Sequence, residues 1–215
     1  VILTGSTSGH DSLHGDGLAE VILGQGGNDT IYGNAGDDFI DGGKGVDLVF
    51  GDDGNDILYD HLGGDTLDGG AGNDTLSSMG LNEDAVCPLG LALVPTATLL
   101  RGGTGNDVYQ AYAHGITTID NYAGAGNDNG ADVLYLVGRS QDPQSAAFDE
   151  FTYLRTGNDL VIDDNTYSYA YDKVVLQNWY LGTDYQVESI VFSDGMAMSA
   201  EGLTALAGNT ASVSS

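Results

Sequence analysis

Basic residues are scarce in this chain, which has five lysines and arginines against 32 acidic residues and a formal net charge of −27 at pH 7. The five are spread along the sequence: Lys44, Arg101, Arg139, Arg155 and Lys173. They form no basic stripe that could hold nucleic acid phosphates, and the excess of acid opposes binding to an anionic membrane surface. We therefore expect no nucleic acid partner and no membrane-surface partner.

A second cysteine, a membrane span and an N-terminal signal are also not found in this sequence. Cys87 is the only cysteine, so the chain can form no internal disulfide, and we interpret it as a small hydrophobic residue. The uncharged stretch Ala85–Leu100 is interrupted by two prolines and is too short for a transmembrane helix. No basic segment precedes an apolar run at the N-terminus, so we expect no signal peptide and interpret the chain as part of a longer protein.

Catalytic motifs are not found either. The chain has no H-E-x-x-H zinc motif, and in Gly5–Gly9 (GSTSG) Thr7 stands where a nucleophile elbow would carry serine. The four histidines lack the spacing of metal or catalytic sites and are interpreted as solvent-facing turn residues: His10, His14, His61 and His114. The sequence predicts that this chain has no catalytic site of its own.

What the sequence does contain is a nonapeptide repeat, in eight consecutive units from Ser6 to Ser77. Position eight is apolar in every unit: Leu13, Ile22, Ile31, Ile40, Val49, Leu58, Leu67 and Leu76. Position six is acidic in every unit: Asp11, Glu20, Asp29, Asp38, Asp47, Asp56, Asp65 and Asp74. Position four is glycine except in the second unit, which has Leu18. Columns that keep register over eight units indicate a structural repeat and not a disordered linker.

This repeat predicts an all-β fold, a parallel β-roll. The residues around position eight form a short strand with one inward side chain, and those before it form a turn in which glycine allows positive φ. One apolar side chain cannot be buried by its own unit, so the units must stack, two units to each full coil. Each unit then lies directly above the unit that comes two repeats earlier in the chain.

The stacking places the acidic residues in two columns, one on each edge of the roll. Residues 6–77 hold 15 acidic residues and one base, Lys44, so the columns repel themselves unless a counter-ion is bound. Ca²⁺ takes six to eight oxygen ligands, which carboxylates and turn carbonyls can supply, whereas Mg²⁺ demands a stricter octahedral geometry. We therefore predict several Ca²⁺ ions that staple the coils of this solenoid together.

The repeat resembles that of the RTX (repeats-in-toxin, haemolysin-type) family, G-G-x-G-x-D-x-U-x, and Gly42–Phe50 and Gly69–Ser77 match it best. The resemblance implies that these position-six carboxylates bind Ca²⁺: Asp11, Asp29, Asp38, Asp47, Asp56, Asp65 and Asp74. It also implies ligands among the carbonyls of the first four positions, which include those of Gly24, Gly27, Gly33, Gly36, Gly42, Gly45, Gly51, Gly54, Gly63, Gly69 and Gly72. The second unit departs from the pattern at Leu18 and Glu20, and the seventh at Asp60.

The first repeat domain, 1–77, is followed by an insert at 78–101, after which the motif resumes. We interpret the insert as a loop that returns as a strand near Thr98–Arg101, or as an apolar patch that docks on a neighbour. Residues 102–138 are predicted to form a second, irregular repeat block with two further strands. The ligands predicted in this block are Asp107, Asp128, Asp132, Gly102 and Gly105, with Asp120 a further candidate.

Residues 139–215 are predicted to form a β-rich capping region that also carries a secretion signal. A hairpin that turns at Thr156–Asn158 and a short helix from Ser199 to Leu206 are expected there. The block resembles the tail that follows RTX repeats, through Asp172, Asn178, Trp179, Tyr180, Tyr185, Val187, Glu188, Ile190, Phe192, Asp194 and Gly195. We predict that Trp179 lies in the layer that closes the open end of the roll.

Three functions are compatible with this sequence. The first is a non-catalytic module that is disordered without calcium and folds on binding Ca²⁺ outside the cell, in the C-terminal part of a type I-secreted protein. The second is the C-terminal portion of a secreted enzyme or toxin whose catalytic domain lies upstream, and the third is an adhesin or surface-layer fragment. Through the resemblance, the expected partner is the type I secretion machinery of a Gram-negative bacterium, and the expected location is the cell exterior or surface.

Overall fold

In the computed structural model the described residues are 1–61, 63–78, 97–112, 115–122, 130–137, 151–164 and 173–210. They form eighteen strands and one α-helix: β1 Ile2–Thr4, β2 Ser12–His14, β3 Val21–Leu23, β4 Thr30–Tyr32, β5 Phe39–Asp41, β6 Leu48–Asp53, β7 Ile57–Asp60, β8 Thr66–Ala71, β9 Thr75–Ser78, β10 Ala97–Thr104, β11 Val108–Tyr112, β12 Ile116–Ile119, β13 Val133–Val137, β14 Phe151–Thr156, β15 Asp159–Asp164, β16 Lys173–Leu176, β17 Ser189–Val191, β18 Ala197–Ser199 and α1 Ala200–Thr210. Short 3₁₀ helices also form at Trp179–Leu181 and Thr183–Tyr185. The all-β prediction is confirmed, and β1 to β5 are short strands of the kind that the repeat predicts.

The strands form two nine-stranded sheets. Sheet I has the order β1-β3-β5-β7-β9-β11-β13-β17-β18, and sheet II has the order β14-β15-β16-β12-β10-β8-β6-β4-β2. Neighbouring strands are parallel except in the pairs β14–β15, β15–β16 and β17–β18. From β1 to β13 successive strands alternate between the sheets, so each coil contributes one strand to each sheet.

The register between neighbouring coils is the two repeat units that the sequence predicts. Ile22 pairs with Ile40 in sheet I, and β4 pairs with β6 through Ile31 and Val49 in sheet II. Across the insert, two neighbouring strands of sheet I lie farther apart in the sequence. Leu76 nevertheless pairs with Tyr109, so the core residues of the successive coils stay aligned. The β-roll prediction is thereby confirmed, and the insert does not shift the coils on either side of it.

Position eight supplies the core of the roll. Seven of its residues have no exposed surface: Ile22, Ile31, Ile40, Val49, Leu58, Leu67 and Leu76. Burying one such side chain stabilises the fold by roughly 1.5–3 kcal/mol, and the coils above and below are needed to bury it. At the N-terminal end of the described chain Leu3 and Leu13 are only partly buried, and Val1 and Ile2 are 71% and 69% exposed.

The C-terminal region continues both sheets and then ends them. β16 pairs with β12 in sheet II, and β17 pairs with β13 in sheet I. The antiparallel hairpin β14–β15 and the strand β18 form the last strands of the two sheets. Trp179 is fully buried and donates from Nε1 to Thr204 Oγ1 at 2.8 Å, and α1 buries Leu203 and Ala207. Trp179 therefore lies in the layer that closes this end of the roll.

Several local predictions are confirmed element by element. The residues before the first unit form β1, and the insert returns as β10, the strand predicted near Thr98–Arg101. The hairpin turns at Gly157–Asn158, between β14 and β15. Ser199 caps the helix, because its Oγ accepts a hydrogen bond from Gly202 N–H at 3.3 Å. The helix ends at Thr210, one turn beyond the predicted Leu206.

Other predictions fall outside the described residues or are not tested. Cys87, Asp128 and most of the insert, residues 79–96, belong to the part of the chain that is not described. The boundaries of the four regions stay predictions. In the ranges described above, no helix is long and apolar enough to cross a membrane.

Candidate metal centre

The turns between the sheets depend on glycine for close approach of the coils. At position four, Gly45 has φ of 139°, a region that L residues rarely adopt, and a Cβ there would overlap the carbonyl oxygen of Gly27 in the preceding coil. Position two also adopts positive φ, but it accepts polar residues at Gln25, Asn34 and Asp52. Gly45 at position four is therefore required for two reasons, whereas position two accepts a side chain; Leu18, the exception at position four, does not adopt positive φ.

The acidic residues of position six lie on the two edges of the roll. Those in turns that enter sheet I form the edge I column, which continues past the repeats: Glu20, Asp38, Asp56, Asp74, Asp107, Asp132 and Glu188. Those in turns that enter sheet II form the edge II column: Asp11, Asp29, Asp47 and Asp65. All are buried except Asp11, at the start of one column, and Glu188, at the end of the other.

One oxygen of the carboxylate ties each coil to the one before it. Asp38 Oδ1 accepts a hydrogen bond from Glu20 N–H at 2.7 Å, and Asp56 Oδ1 accepts from Asp38 N–H at 2.8 Å. The same bond recurs along the edge II column. It also crosses the insert, where Asp74 N–H donates to Asp107 Oδ1 at 2.8 Å. The sequence showed the columns but not this use of the carboxylate.

The other oxygen points into the turn. In four members of the columns Oδ2 is buried and finds no hydrogen-bond partner among the described residues: Asp29, Asp38, Asp56 and Asp74. Asp38 Oδ2 and the carbonyl oxygen of Gly51 both lie 2.6 Å from the place that a Cβ on Gly33 would take. We call this arrangement a glycine cradle: a carboxylate oxygen and a carbonyl oxygen of the next coil, around a space that a position-one glycine leaves open.

Burial makes these carboxylates poor anions in the absence of a cation. It raises the pKa of Asp56 to about 6 and that of Asp74 to about 7, and it holds the pKa of Asp38 above the ordinary 3.8. Neighbouring carboxylates of the column add to the upward shift, and the hydrogen bonds from backbone N–H groups oppose it. Because an uncompensated buried ion costs several kcal/mol, each cradle must take up either a proton or a cation.

The donor atoms of the cradles fit Ca²⁺. Carboxylate and carbonyl oxygens are the hard ligands that Ca²⁺ binds in flexible geometry. Within the described stretches, no group of three or more His, Cys, Asp or Glu side chains is placed to hold a metal ion. Further protein ligands would therefore come from the backbone of the turns and of the strand ends beside them, where the predicted glycine ligands lie.

The first members of the two columns differ from the interior ones. Asp11 Oδ2 accepts hydrogen bonds from Ser6 N–H and Oγ at 2.6 and 2.8 Å, and these bonds hold the pKa of Asp11 below its ordinary value. Glu20, which breaks the repeat, is buried in the edge I column, and its Oε2 accepts from Asp16 N–H at 3.2 Å. Asp11 is thus engaged within its own turn, whereas Glu20 keeps the place of an aspartate.

At the far end of the edge I column the pattern changes again. Asp132 Oδ1 accepts from Asp107 N–H at 2.7 Å, but its Oδ2 accepts from the side-chain amide of Asn121 at 2.9 Å. Asp132 N–H donates to Glu188 Oε2 at 2.6 Å, so the column runs into the tail. The sequence reasoning missed Glu188 as a column member, although Glu188-x-Ile190 has the same acid-x-apolar spacing as positions six and eight.

The other predicted residues of the second block separate into two groups. Gly102 lies near the end of β10, and Gly105 lies in the turn that leads to Asp107. Asp120, the further candidate, instead pairs with Arg101, with its Oδ2 3.3 Å from Nε. As ligands, all the residues named from the sequence stay predictions, and the cradle geometry supports the interior aspartates of the first block most directly.

Two protein-family models match this chain. The model described as RTX calcium-binding nonapeptide repeat (4 copies) matches residues 14–49 and 41–76. The model described as haemolysin-type calcium binding protein related domain matches residues 159–201. The comparison with curated proteins finds no match. The first model thus covers the coils that hold the glycine cradles, and the second runs from β15 to the start of α1.

Proposed function

We infer that this chain, which carries RTX calcium-binding nonapeptide repeats, is a module that folds when it binds Ca²⁺ outside the cell and forms the C-terminal part of a type I-secreted protein. The repeat domain is a structural calcium-binding module and not a catalytic one. The observation that carries the proposal is the row of glycine cradles, in which a buried carboxylate oxygen faces a carbonyl of the next coil. In each cradle the aspartate Oδ2 and that carbonyl oxygen would hold the ion.

Folding follows from binding because the cradles exist only where two coils are stacked. Bound Ca²⁺ supplies the positive charge that the edge columns lack. A ligand that binds the folded state stabilises it by about 2.7 kcal/mol when its concentration is 100 times Kd, and independent sites add their contributions. A roll whose coils bury one side chain per strand gains from several such sites together.

A calcium titration followed by far-UV circular dichroism and calorimetry tests this function. The chain should be largely unfolded in EDTA and should become β-rich as Ca²⁺ is added, with a heat of binding over the same range. Mg²⁺ at the same concentrations should be a weaker inducer, because it demands near-octahedral coordination. A chain that is equally β-rich in EDTA and in calcium would contradict the proposal.

The secreted location is supported by the repeats, since RTX repeats are typical of secreted bacterial proteins. On this proposal the partners are the type I secretion machinery and upstream domains of the same protein. A secreted enzyme or toxin with an upstream catalytic domain, or an adhesin or surface-layer protein, would use the module in the same way. The sequence upstream of Val1 would distinguish these parents.

A further inference from the structure

The edge I column ends in a turn that is built differently from those before it. β10 pairs with β12 through Leu100 and Ile119. Just beyond this pair, Asn121 therefore stands where the preceding coil has Gly102. Position one of this column is otherwise glycine throughout: Gly15, Gly33, Gly51, Gly69 and Gly102. Among the described turns of this edge, only the last one has a residue other than glycine at position one, although the Tyr109 hydroxyl already lies beside Gly102 in the turn before it.

The side chain of Asn121 is held by a buried network. Its Nδ2 donates to Asp132 Oδ2 at 2.9 Å, and its Oδ1 accepts from the Tyr109 hydroxyl at 2.6 Å. The Tyr109 oxygen in turn accepts from Gly102 N–H at 2.9 Å. Tyr109 is completely buried and Asn121 is 3% exposed. Since Asp107 N–H donates to the other oxygen of Asp132, both oxygens of this carboxylate have a donor.

This network supplies Asp132 with the hydrogen-bond donor that the cradle of Asp38 lacks. In the cradle of Asp38 the buried Oδ2 has no hydrogen-bond partner among the described residues, because the N–H of Gly33 donates to the carbonyl oxygen of Phe50 and the facing carbonyl oxygen cannot donate. At Asp132 an amide N–H points at the corresponding oxygen. A hydrogen bond to a charged group is stronger than one between neutral groups, and it offsets part of the cost of burying this carboxylate.

We propose that Asn121 takes the place of the ion in the last turn of the edge I column. The calcium sites of that column then end before Asp132, which acts as a hydrogen-bond acceptor instead of the ligand that the sequence predicts. The proposal rests on the proposed function of the other cradles and concerns a turn that they do not include.

The same network joins the roll to its tail. Asn121 Nδ2 also lies 3.2 Å from the carbonyl oxygen of Gln186, and Gln186 Nε2 donates to the carbonyl oxygen of Trp179 at 2.8 Å. Asp132 N–H adds the bond to Glu188. The join between the last repeat and the tail is therefore made by protein hydrogen bonds, and Trp179, the only tryptophan, reports on it.

The test is Asn121→Asp in the full chain, with bound calcium counted by equilibrium dialysis. The substitution keeps the shape of the side chain but replaces the amide donor with a second carboxylate oxygen facing Asp132. We expect one more Ca²⁺ per chain than in the wild type. We also expect the midpoint of the Trp179 emission shift to move to a higher calcium concentration. The matched control is Asn73→Asp, the same change at an exposed position five of this edge, where Asp37 occurs naturally. It should leave the number of ions unchanged.

A second variant keeps the test decisive if Asn121→Asp does not fold. Asn121→Gly restores the glycine of the earlier turns and should also bind one more ion than the wild type. The proposal is overturned if the folded variants bind the wild-type number of ions, or if Asn121→Gly cannot fold at saturating calcium. A wild-type chain that binds no calcium would instead contradict the proposed function.

Discussion

At the scale of the residue, the aspartate of position six divides its carboxylate between two tasks. Asp56 Oδ1 accepts a hydrogen bond from Asp38 N–H, whereas Asp56 Oδ2 faces Gly51 without a hydrogen-bond donor. A carboxamide has the same shape and can still accept the first bond, but it is neutral and a weaker ligand for Ca²⁺. Substitution by asparagine therefore separates the observed stacking hydrogen bond from the proposed binding of the cation.

We expect Asp56→Asn to raise the calcium concentration at the folding midpoint by about tenfold, which corresponds to about 1.4 kcal/mol. The matched control is Asp37→Asn in the same turn of the preceding coil, because Asp37 is exposed and its Oδ1 only accepts from Asn55. Asp11→Asn should also have a smaller effect, since Ser6 already occupies Asp11 Oδ2. A calcium titration by circular dichroism measures all three, and equal shifts for Asp56 and Asp37 would refute the cradle as the ion site.

The raised pKa values predict that acid partly replaces calcium. Burial raises the pKa of Asp56 to about 6 and that of Asp74 to about 7, from an ordinary value of 3.8. Between these values the folded chain holds protons that the unfolded chain has released, so its stability is lost as the pH rises through about 6 to 7. In EDTA, the β-sheet signal should therefore be stronger at pH 5 than at pH 7.5.

Saturating calcium should reverse the direction of this pH dependence, because protons then compete with the ion for the same oxygens. Asp74→Asn gives the control in EDTA, since a carboxamide does not titrate and the part of the response nearest pH 7 should disappear. A β-sheet signal in EDTA that does not change between pH 5 and pH 7.5 would count against the buried, cation-free carboxylates.

The residues of the columns could be predicted, but the end of the edge I column could not. Asp38 and Asp56 recur at a fixed interval, and this repetition gives both their stacking and their sharing of an edge. The separation of Asn121 from Gly102 is not a whole number of repeats, and only the pairing of β10 with β12 places Asn121 at position one. The different contacts of the two oxygens in each carboxylate depend on side-chain orientation, which cannot be inferred from the sequence pattern.

At the scale of the element, the turns specify the roll more than its strands do. A short strand such as β4 buries one side chain and has little stability by itself. Its position is set by the turns, which bring the backbone of one coil against the next. The tolerance of a turn for a Cβ atom is therefore a direct measure of how closely the coils must approach.

Gly45→Ala should destabilise the calcium-loaded chain by about 1–3 kcal/mol, the cost of a strained backbone conformation, and its Cβ would also overlap the carbonyl oxygen of Gly27. The matched control is Gly17→Ala, because a Cβ on Gly17 would have no atom within 4 Å. Urea unfolding in saturating calcium measures both. Equal stability of the two variants would show that the coils do not approach each other as described.

An element could be predicted from the sequence where its residues follow a single repeating pattern. Alternating residues gave the hairpin β14–β15, and Ser199 gave the start of α1. The pairing of β16 with β12 joins Ile119 to Leu176 and follows no repeat. It arises because the last coil offers open strand edges that must be covered, and a local pattern does not say which strand covers them.

At the scale of the whole molecule, the two ends of the roll are unequal. The tail adds β16 to sheet II and β17 to sheet I and covers the last coil with Trp179 and α1. At the other end β1 and β2 are edge strands, and Ile2 is 69% exposed. Because each coil needs a formed neighbour to bury its core residue, folding should begin at the covered end.

A chain truncated after Asn165 keeps every aspartate of the first repeat block but loses β16 to α1. We expect it to lose cooperative calcium-induced folding, because the last coil is left with two open edges. The control removes residues 1–14 from the opposite end and should fold with only a small shift in midpoint. In the full chain, Trp179 emission should move to shorter wavelength as calcium is added. A truncated chain that folds at the calcium concentration of the full chain would show that the tail is not a cap.

The pairing of Leu76 with Tyr109 across the insert has a consequence for which insertions such a protein can accept. The hydrogen-bonded column passes from Asp74 to Asp107 as it does between coils of the regular repeat. The register of the two coils therefore does not depend on the length of the connection between Ser78 and Ala97, and in general doubling the length of a loop costs only about 0.6 kcal/mol. On the proposed function, a foreign peptide or domain grafted between Ser78 and Ala97 should be presented only when calcium has folded the roll.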